Sequence, residues 1–410
     1  MPYQSNFNAL IAYKAQTGLG TAASGAGANQ LRLSGGQGAK LSKAAIVSNE
    51  LRKDGMSTRG RHGTQGVVAS YNAEVSLGSI DPIILAIMRA AAWDSSVLTK
   101  TQADFTSLTT GANSIVLGSG NPITMGYRVG DVIRATGLPD AANNGRNIRI
   151  AALSSTTITT AETLTVNATP DTTCSITRPG KRIINPASLV PTYFTLEEYE
   201  GDIDQSTLAQ DFVFGGVKFS MAANGLMMAD VSGTGTGQIQ ALGTASSPYY
   251  TSTTAPSDVP FSVVDATIRV GGIDVVELTG LDLTMNIQPT ATPVFGSGAQ
   301  KYSPDVFTGA LQVSMNITAL RKSLTYLSDF IAETQYSLQI LAVDNMAEPK
   351  DFLSIFVPNF TLGGVDPSAF SKQGGGRTQT ISIPAALVGA ATNTAAGFDP
   401  TMISFQTTAP

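Results

Sequence analysis

Apolar and polar residues alternate with a period of two through most of the chain, in short stretches closed by Gly, Asn, Asp or Pro. Alternation sends successive side chains to opposite faces of a strand, so this pattern predicts half-buried antiparallel β structure. The segments YNAEVSL (71–77), YFTLEEYEGD (193–202), DFVFGGVKFSM (211–221), GALQVSM (309–315), QYSLQILAVD (335–344) and FLSIFVPNFTL (352–362) are predicted strands. Two segments break the pattern. DPIILAIMRAAAW (81–93) predicts a helix, with Asp81 as N-cap and Pro82 at N1, where its missing N–H goes unused. A second helix is predicted from about Thr318 to Glu333, with Leu320, Leu324, Leu327 and Ile331 on one face.

Each helix directly follows a strand, and the order of elements recurs along the chain. Val75-Ser76 falls on Val313-Ser314, an offset of 238 (313 − 75). Upstream in each half lie a strand and a long Gly-containing connection, IVSNELRKDG…RHGTQG and LTGLDLTMNIQ…VFGSGAQKYSPD. Each half reads strand, long hairpin, strand, helix and three strands, which predicts a mainly β fold of two tandem sandwiches, each flanked by one helix. The segment 94–186 has a different texture, rich in Thr, Ser and Asn, with short strands such as NSIVLGSG and YRVGDVIRATG and the turn NNG (143–145). It predicts a small inserted β module on the outer surface. Residues 1–40, rich in Gly, Ala and Ser and lacking any period, predict an extended arm. The resulting division is an arm over 1–40, a first sandwich over 41–93 and 187–255, the insert between them, a second sandwich over 256–400 and a tail over 401–410.

Composition narrows the function. Charged residues make up 13% of the 410 residues, and the net charge is −5 with a pI near 5.0. So uncharged a surface suits a protein that packs against copies of itself, and the chain as a whole is no basic phosphate binder. The single cysteine, Cys174, and single histidine, His62, rule out a disulfide framework within the chain and argue against soft-metal sites. No cofactor motif is recognised. LSGGQ (33–37) matches an ATPase signature, but no GxxxxGK[ST] accompanies it and it sits in the Gly-rich arm. No GxSxG elbow or defensible carboxylate pair is present, so an enzyme is not expected. There is no secretory pattern at the N-terminus and no run of 18 apolar residues, so the chain is expected to be cytoplasmic where it is made.

Two charged stretches remain. SNELRKDGMSTRGRHGTQGV (48–67) gathers Arg52, Lys53, Asp54, Arg59, Arg61 and His62 into one loop. Nearly twenty residues is long for an idle hairpin, and its mixed charges fit contact with another subunit better than a grip on nucleic acid. LEEYEGDID (196–204) is acidic, and Glu197, Glu198 and Glu200 are candidates to line a channel that repels DNA phosphates.

The segments SNELRKD, RHGTQG, DPIILAIMRAAAW, YRVGDVIRATG…NNGRNIRI, PGKRIINPA, VDATIRVGGIDVVELTGLDLTMN, DVFTGALQVSMNITA and FTLGGVDPSAF, in that order, resemble tail tube proteins of long-tailed, non-contractile bacteriophages. The resemblance implies a virion structural protein of stacked rings around a DNA conduit, built from tail-tube-type sandwiches and assembled in the host bacterial cytoplasm. It implies that the hairpin 52–66 and its counterpart near 288–305 bridge successive rings. With two sandwiches per chain, a homotrimeric, pseudo-sixfold ring follows. Expected partners are further copies of the chain, a tail-tip initiator complex, a tape measure protein and a tail terminator, with DNA passing unbound. The alternative is a tail-tip or receptor-contact protein with the insert as adhesive element.

Overall fold

The computed structural model describes residues 3–294, 301–344, 348–372, 374–391 and 393–410. The elements that matter for function are β1 (Ala9–Ala15), β2 (Leu33–Ile46), β3 (Arg61–Glu74), α1 (Asp81–Met88), β4 (Phe194–Glu200), β5 (Gln205–Ala222), β6 (Met228–Gly235) and β7 (Leu278–Asn286). They continue with β8 (Gln312–Leu320), α2 (Thr325–Ile331), β9 (Gln335–Val343), β10 (Phe352–Thr361), β11 (Gly364–Pro367), β12 (Thr378–Ile383) and β13 (Ser404–Thr407). The fold is mainly β, as the alternation predicts.

One sheet dominates. Through its middle runs an antiparallel path β2-β3-β6-β5-β7-β8-β12-β11. Along this path the period-two pattern is realised literally. Tyr71, Val217, Phe219, Val231, Leu283, Met315 and Ile381 face inward and are buried, while Ser70, Lys218, Ser232, Asp282, Asn316 and Ser382 face out. A second sheet, with β13-β10-β9 at its centre, shares the inward face's core. Each large buried side chain between the layers contributes roughly 1.5–3 kcal/mol, so this shared core is the main force holding the two sheets together.

The two ends of the path repeat each other. A row across the first unit runs Gly216, Ser232, Ser70, Gly38, each opposite the next on β5, β6, β3 and β2. The matching row on β11, β12, β8 and β7 runs Gly364, Ser382, Asn316, Asp282. Phe214-Gly215-Gly216-Val217 and Leu362-Gly363-Gly364-Val365 carry the likeness into the sequence. The path therefore holds two like four-stranded units, β2-β3-β6-β5 and β7-β8-β12-β11, but not at the offset read from the sequence. Ser70 matches Asn316, an offset of 246 (316 − 70) instead of 238. Val75-Ser76 follow the end of β3, whereas Val313-Ser314 lie near the start of β8, and α2 begins correspondingly later than α1.

Four other expectations are corrected. Residues 1–40 contain strands. β1 pairs along its whole length with β4, Ala26–Gln30 pairs with β1, and β2 begins at Leu33. The backbone supplies the hydrogen bonds where small side chains give no period. The predicted tail is interior, since β13 pairs with both Lys181–Ile183 and β10 and is almost wholly buried. α1 stops at Met88, before the expected Trp93, because Arg89 takes left-handed geometry at φ 54°. Asp81 is its first residue, not its cap, and pairs with Lys181 at 2.9 Å. α2 starts at Thr325 because β8 continues through Leu320 in register with β7 and β12. Its apolar stripe of Leu324, Leu327 and Ile331 is exposed, whereas α1 is buried.

Between Leu98 and Arg178, eight short strands form a sheet of their own. They enclose a separate core with Phe105, Ile115, Tyr127, Ile133, Ile148 and Ile158. Buried polar groups tie this sheet to the sandwich. Val132 exchanges hydrogen bonds with the Gln406 side chain, and Gln339 donates to the Gly130 carbonyl. Among the described residues no helix is long and apolar enough to cross a membrane.

Candidate assembly surfaces

The first surface is the β2–β3 hairpin. Its ladder runs from Leu33 opposite Ala73 to Ile46 opposite Arg61, with three register shifts. β6 covers β3 only from Val67 onward, so the outer part of the hairpin is a two-stranded ribbon. Gln65 anchors its base, donating from its backbone to Lys301 (2.7 Å) and from its side chain to Gly237 (2.8 Å). Lys301 lies in the counterpart connection expected near 288–305. There Thr290–Ala291 pairs with Val306–Phe307, and residues 295–300 fall outside the described residues.

Beyond the ladder, 47–60 is exposed nearly throughout. Arg52 pairs with Asp54, which this contact holds below the usual carboxylate range, and Thr58 donates to Glu50. Lys53, Arg59, Arg61 and His62 are exposed and form no ion pair among the described residues. The tip is also apolar, which a reading by charge overlooks. Leu51 is 99% exposed, and Ile46, Val47 and Met56 are exposed beside it. Such a cluster at the end of a projecting ribbon marks a contact surface. Four apolar letters within the eleven residues 46–56, at the start of the charged loop, were the available signal.

The acidic strand β4 lies elsewhere than expected. It is sandwiched edge-to-edge between β1 and β5. Glu197 is 0% exposed and accepts from the Ser206 hydroxyl and the Tyr249 and Tyr250 amides, so it does not line any channel. Glu198 is half-buried and accepts from the Ala39 amide and the Tyr71 hydroxyl, whose pKa is raised by burial and by this carboxylate. Glu200 is half-buried opposite Ala9. Strand alternation gives two faces but does not say which one another segment will cover. Here 247–250 covers the Glu197 face.

The surface that is smooth and polar is the outward face of the eight-strand path. It presents mostly Ser, Thr and Asn, including Ser70, Asn72, Ser232, Thr284, Asn316 and Thr380. Its charges are few: Lys40, Glu74, Lys218, Asp230, Asp282 and Asp366, with Lys218 and Asp282 paired at 3.1 Å. Among the described residues both ends of the path, β2 and β11, have no strand paired on their outer edge. The family model described as phage tail tube protein matches residues 6–407. No curated protein sequence matches the chain.

Proposed function

We propose that this chain, which belongs to the phage tail tube protein family, closes into three-copy rings that stack into the hollow tube through which DNA leaves the virion. Its membership makes it a structural component of the virion tail, in a family whose members associate with one another and with other tail parts. The observation that carries the finer reading is the eight-strand path made of two like units joined side by side. Three copies contribute twenty-four strands. At about 4.8 Å per strand, twenty-four strands give a circumference of about 115 Å and a diameter of about 37 Å before tilt. That leaves a bore for one duplex once side chains are counted. One copy closed on itself would be filled by its own side chains, and six copies would double the diameter.

In this arrangement the outward polar face lines the bore. Its hydroxyls and amides, with acidic charge slightly in excess and no arginine, bind phosphate weakly. That suits rapid passage, since each lysine or arginine contact to phosphate strengthens retention through counterion release. The 47–60 tip reaches the next ring, the Leu98–Arg178 sheet lies outside, and tip initiator, tape measure and terminator proteins meet the tube at its ends and bore.

Electron microscopy of concentrated protein tests this reading. Class averages down the filament axis should show hollow rings of three chains, and six chains per ring or a single closed assembly would overturn it. Arg59→Glu with Arg61→Glu is expected to abolish filament growth while leaving the circular dichroism spectrum and sedimentation of the free chain unchanged. Normal-length tubes from that variant would remove the tip from the ring-to-ring contact.

A further inference from the structure

The seam between the two units lies within one chain, where β5 meets β7 with Gly216 opposite Asn286, Val217 opposite Met285 and Lys218 opposite Thr284. The matched rows make β11 the counterpart of the second half of β5, and β2 the counterpart of β7. Gly38 corresponds to Asp282, hence Lys40 to Thr284 and Leu41 to Met285. We infer that the same seam recurs between copies. Gly364–Asp366 of one copy pairs antiparallel with Lys40–Ser42 of the next, Val365 opposite Leu41 and Asp366 opposite Lys40. The inference rests on the tube reading and names the edges that close its ring.

Several features of the free edges fit this register. Met285 is 0% exposed inside the chain, whereas its counterpart Leu41 is 38% exposed, on a face where the seam would cover it with Val365. Lys218 reaches Asp282 across the inner seam. In the outer seam Asp366 stands in the place of Lys218 and lies directly opposite Lys40, the counterpart of Thr284, so a Lys–Asp pair bridges this seam too, straight across where the inner pair is diagonal. Neither Lys40 nor Asp366 forms an ion pair among the described residues.

The backbone agrees. The Ser368 amide donates to Thr378, so by alternation Asp366 also turns its polar groups to β12 and Val365 turns its own to the open edge. Val365 and Leu41 then exchange two hydrogen bonds, and Asp366 and Lys40 form the closer, non-hydrogen-bonded pair. One step further, Pro367 has no N–H and the Ala39 amide is already given to Glu198, so both strands drop out of pairing at the same position. The Gly363 amide is committed to Ser382, which ends the seam on the other side. Because β2 and β11 differ, the contact is head-to-tail, a geometry that closes into a ring when its rotation divides the full circle.

Lys40→Cys with Asp366→Cys in the full chain tests the seam. Opposed Cα atoms in such a pair are about 4.5 Å apart, within disulfide range. The native Cys174 is buried and gives little background. Oxidised assemblies should give a non-reducing ladder of dimer and trimer, while either single variant and the off-register pair Lys43→Cys with Asp366→Cys stay monomeric. Tubes without cross-links overturn this seam and leave the tube reading standing. Cross-links without tubes keep the seam and overturn the tube. Asp366→Lys alone should lower assembly yield at least ~tenfold by setting two lysines face to face, and adding Lys40→Asp should restore it. Unchanged assembly of Asp366→Lys overturns the charge pairing.

Discussion

Replacing Arg182 by methionine is expected to destabilise the chain by about 3–5 kcal/mol, the largest loss for any single polar side chain here. Arg182 is buried, and its guanidinium lies between two carboxylates, with Asp131 at 3.1 Å and Asp399 in direct contact. Burial pulls its pKa down, and the Asp131 carboxylate opposes that shift. Asp399 also takes Arg128 at 3.2 Å. The network joins the Lys181–Ile183 strand, the turn at 128–131 in the Leu98–Arg178 sheet and the segment before β13. Methionine fills the space but leaves Asp131, 2% exposed, without its counter-charge. Urea unfolding followed by circular dichroism measures the loss. Adding Asp131→Asn to Arg182→Met should return part of it, because the stranded charge is then gone. Arg178→Met should cost less, since its partner Asp94 is half in water. Equal losses for the two arginines would show that burial of the acceptor does not set the cost.

Glu197→Ala carries the second large effect, about 3 kcal/mol. The side chain closes the 247–250 segment onto β4 by accepting two adjacent backbone amides, and one hydroxyl completes its shell. Alanine strands both amides in a region packed with Tyr250, Ala12 and Ala28, where water does not replace the carboxylate. Glu197→Gln, which keeps one oxygen, should lose about half as much. Hydrogen exchange at the Tyr249 and Tyr250 amides gives a local readout and should accelerate in the alanine variant well before global unfolding. Unchanged exchange would mean that the segment is held by the Tyr250 ring alone.

What could be read from the sequence follows from which force shapes each element. Strands such as β5, β9 and β10 bury large side chains on a fixed period, and their letters announce them. α1 is announced by Pro82 and its apolar run. β2 is not, because Gly and Ala give the backbone a ladder without a side-chain pattern; β1 does bury Ile11 and Tyr13 two residues apart, but the Gly-rich stretch beside it masks so short a run, and β13 is too short to show a period. That segments recur was legible, but neither the offset nor the match of β5 to β11 was. Val75-Ser76 and Val313-Ser314 match as letters but lie past the end of β3 and near the start of β8, and the letters alone do not mark where a strand stops. For the surfaces, the length of the 48–67 loop pointed to the projecting ribbon, while its apolar tip was hidden behind its charges. The acidic strand misled because a carboxylate's letter does not tell whether backbone amides will gather around it.

The β5–β7 seam has a consequence for growth. Because one polypeptide supplies both strands, this contact forms by an intramolecular search, and dilution does not weaken it. In a three-copy ring, half of the seams around the circumference are therefore made before any two molecules meet. If the proposed ring forms, its first assembly would need an encounter of three bodies instead of six, which would lower the concentration threshold for nucleation and make its dependence on concentration less steep. In that arrangement a fused subunit would make initiation easier, and the length of a tube would have to be set by something other than the difficulty of starting one.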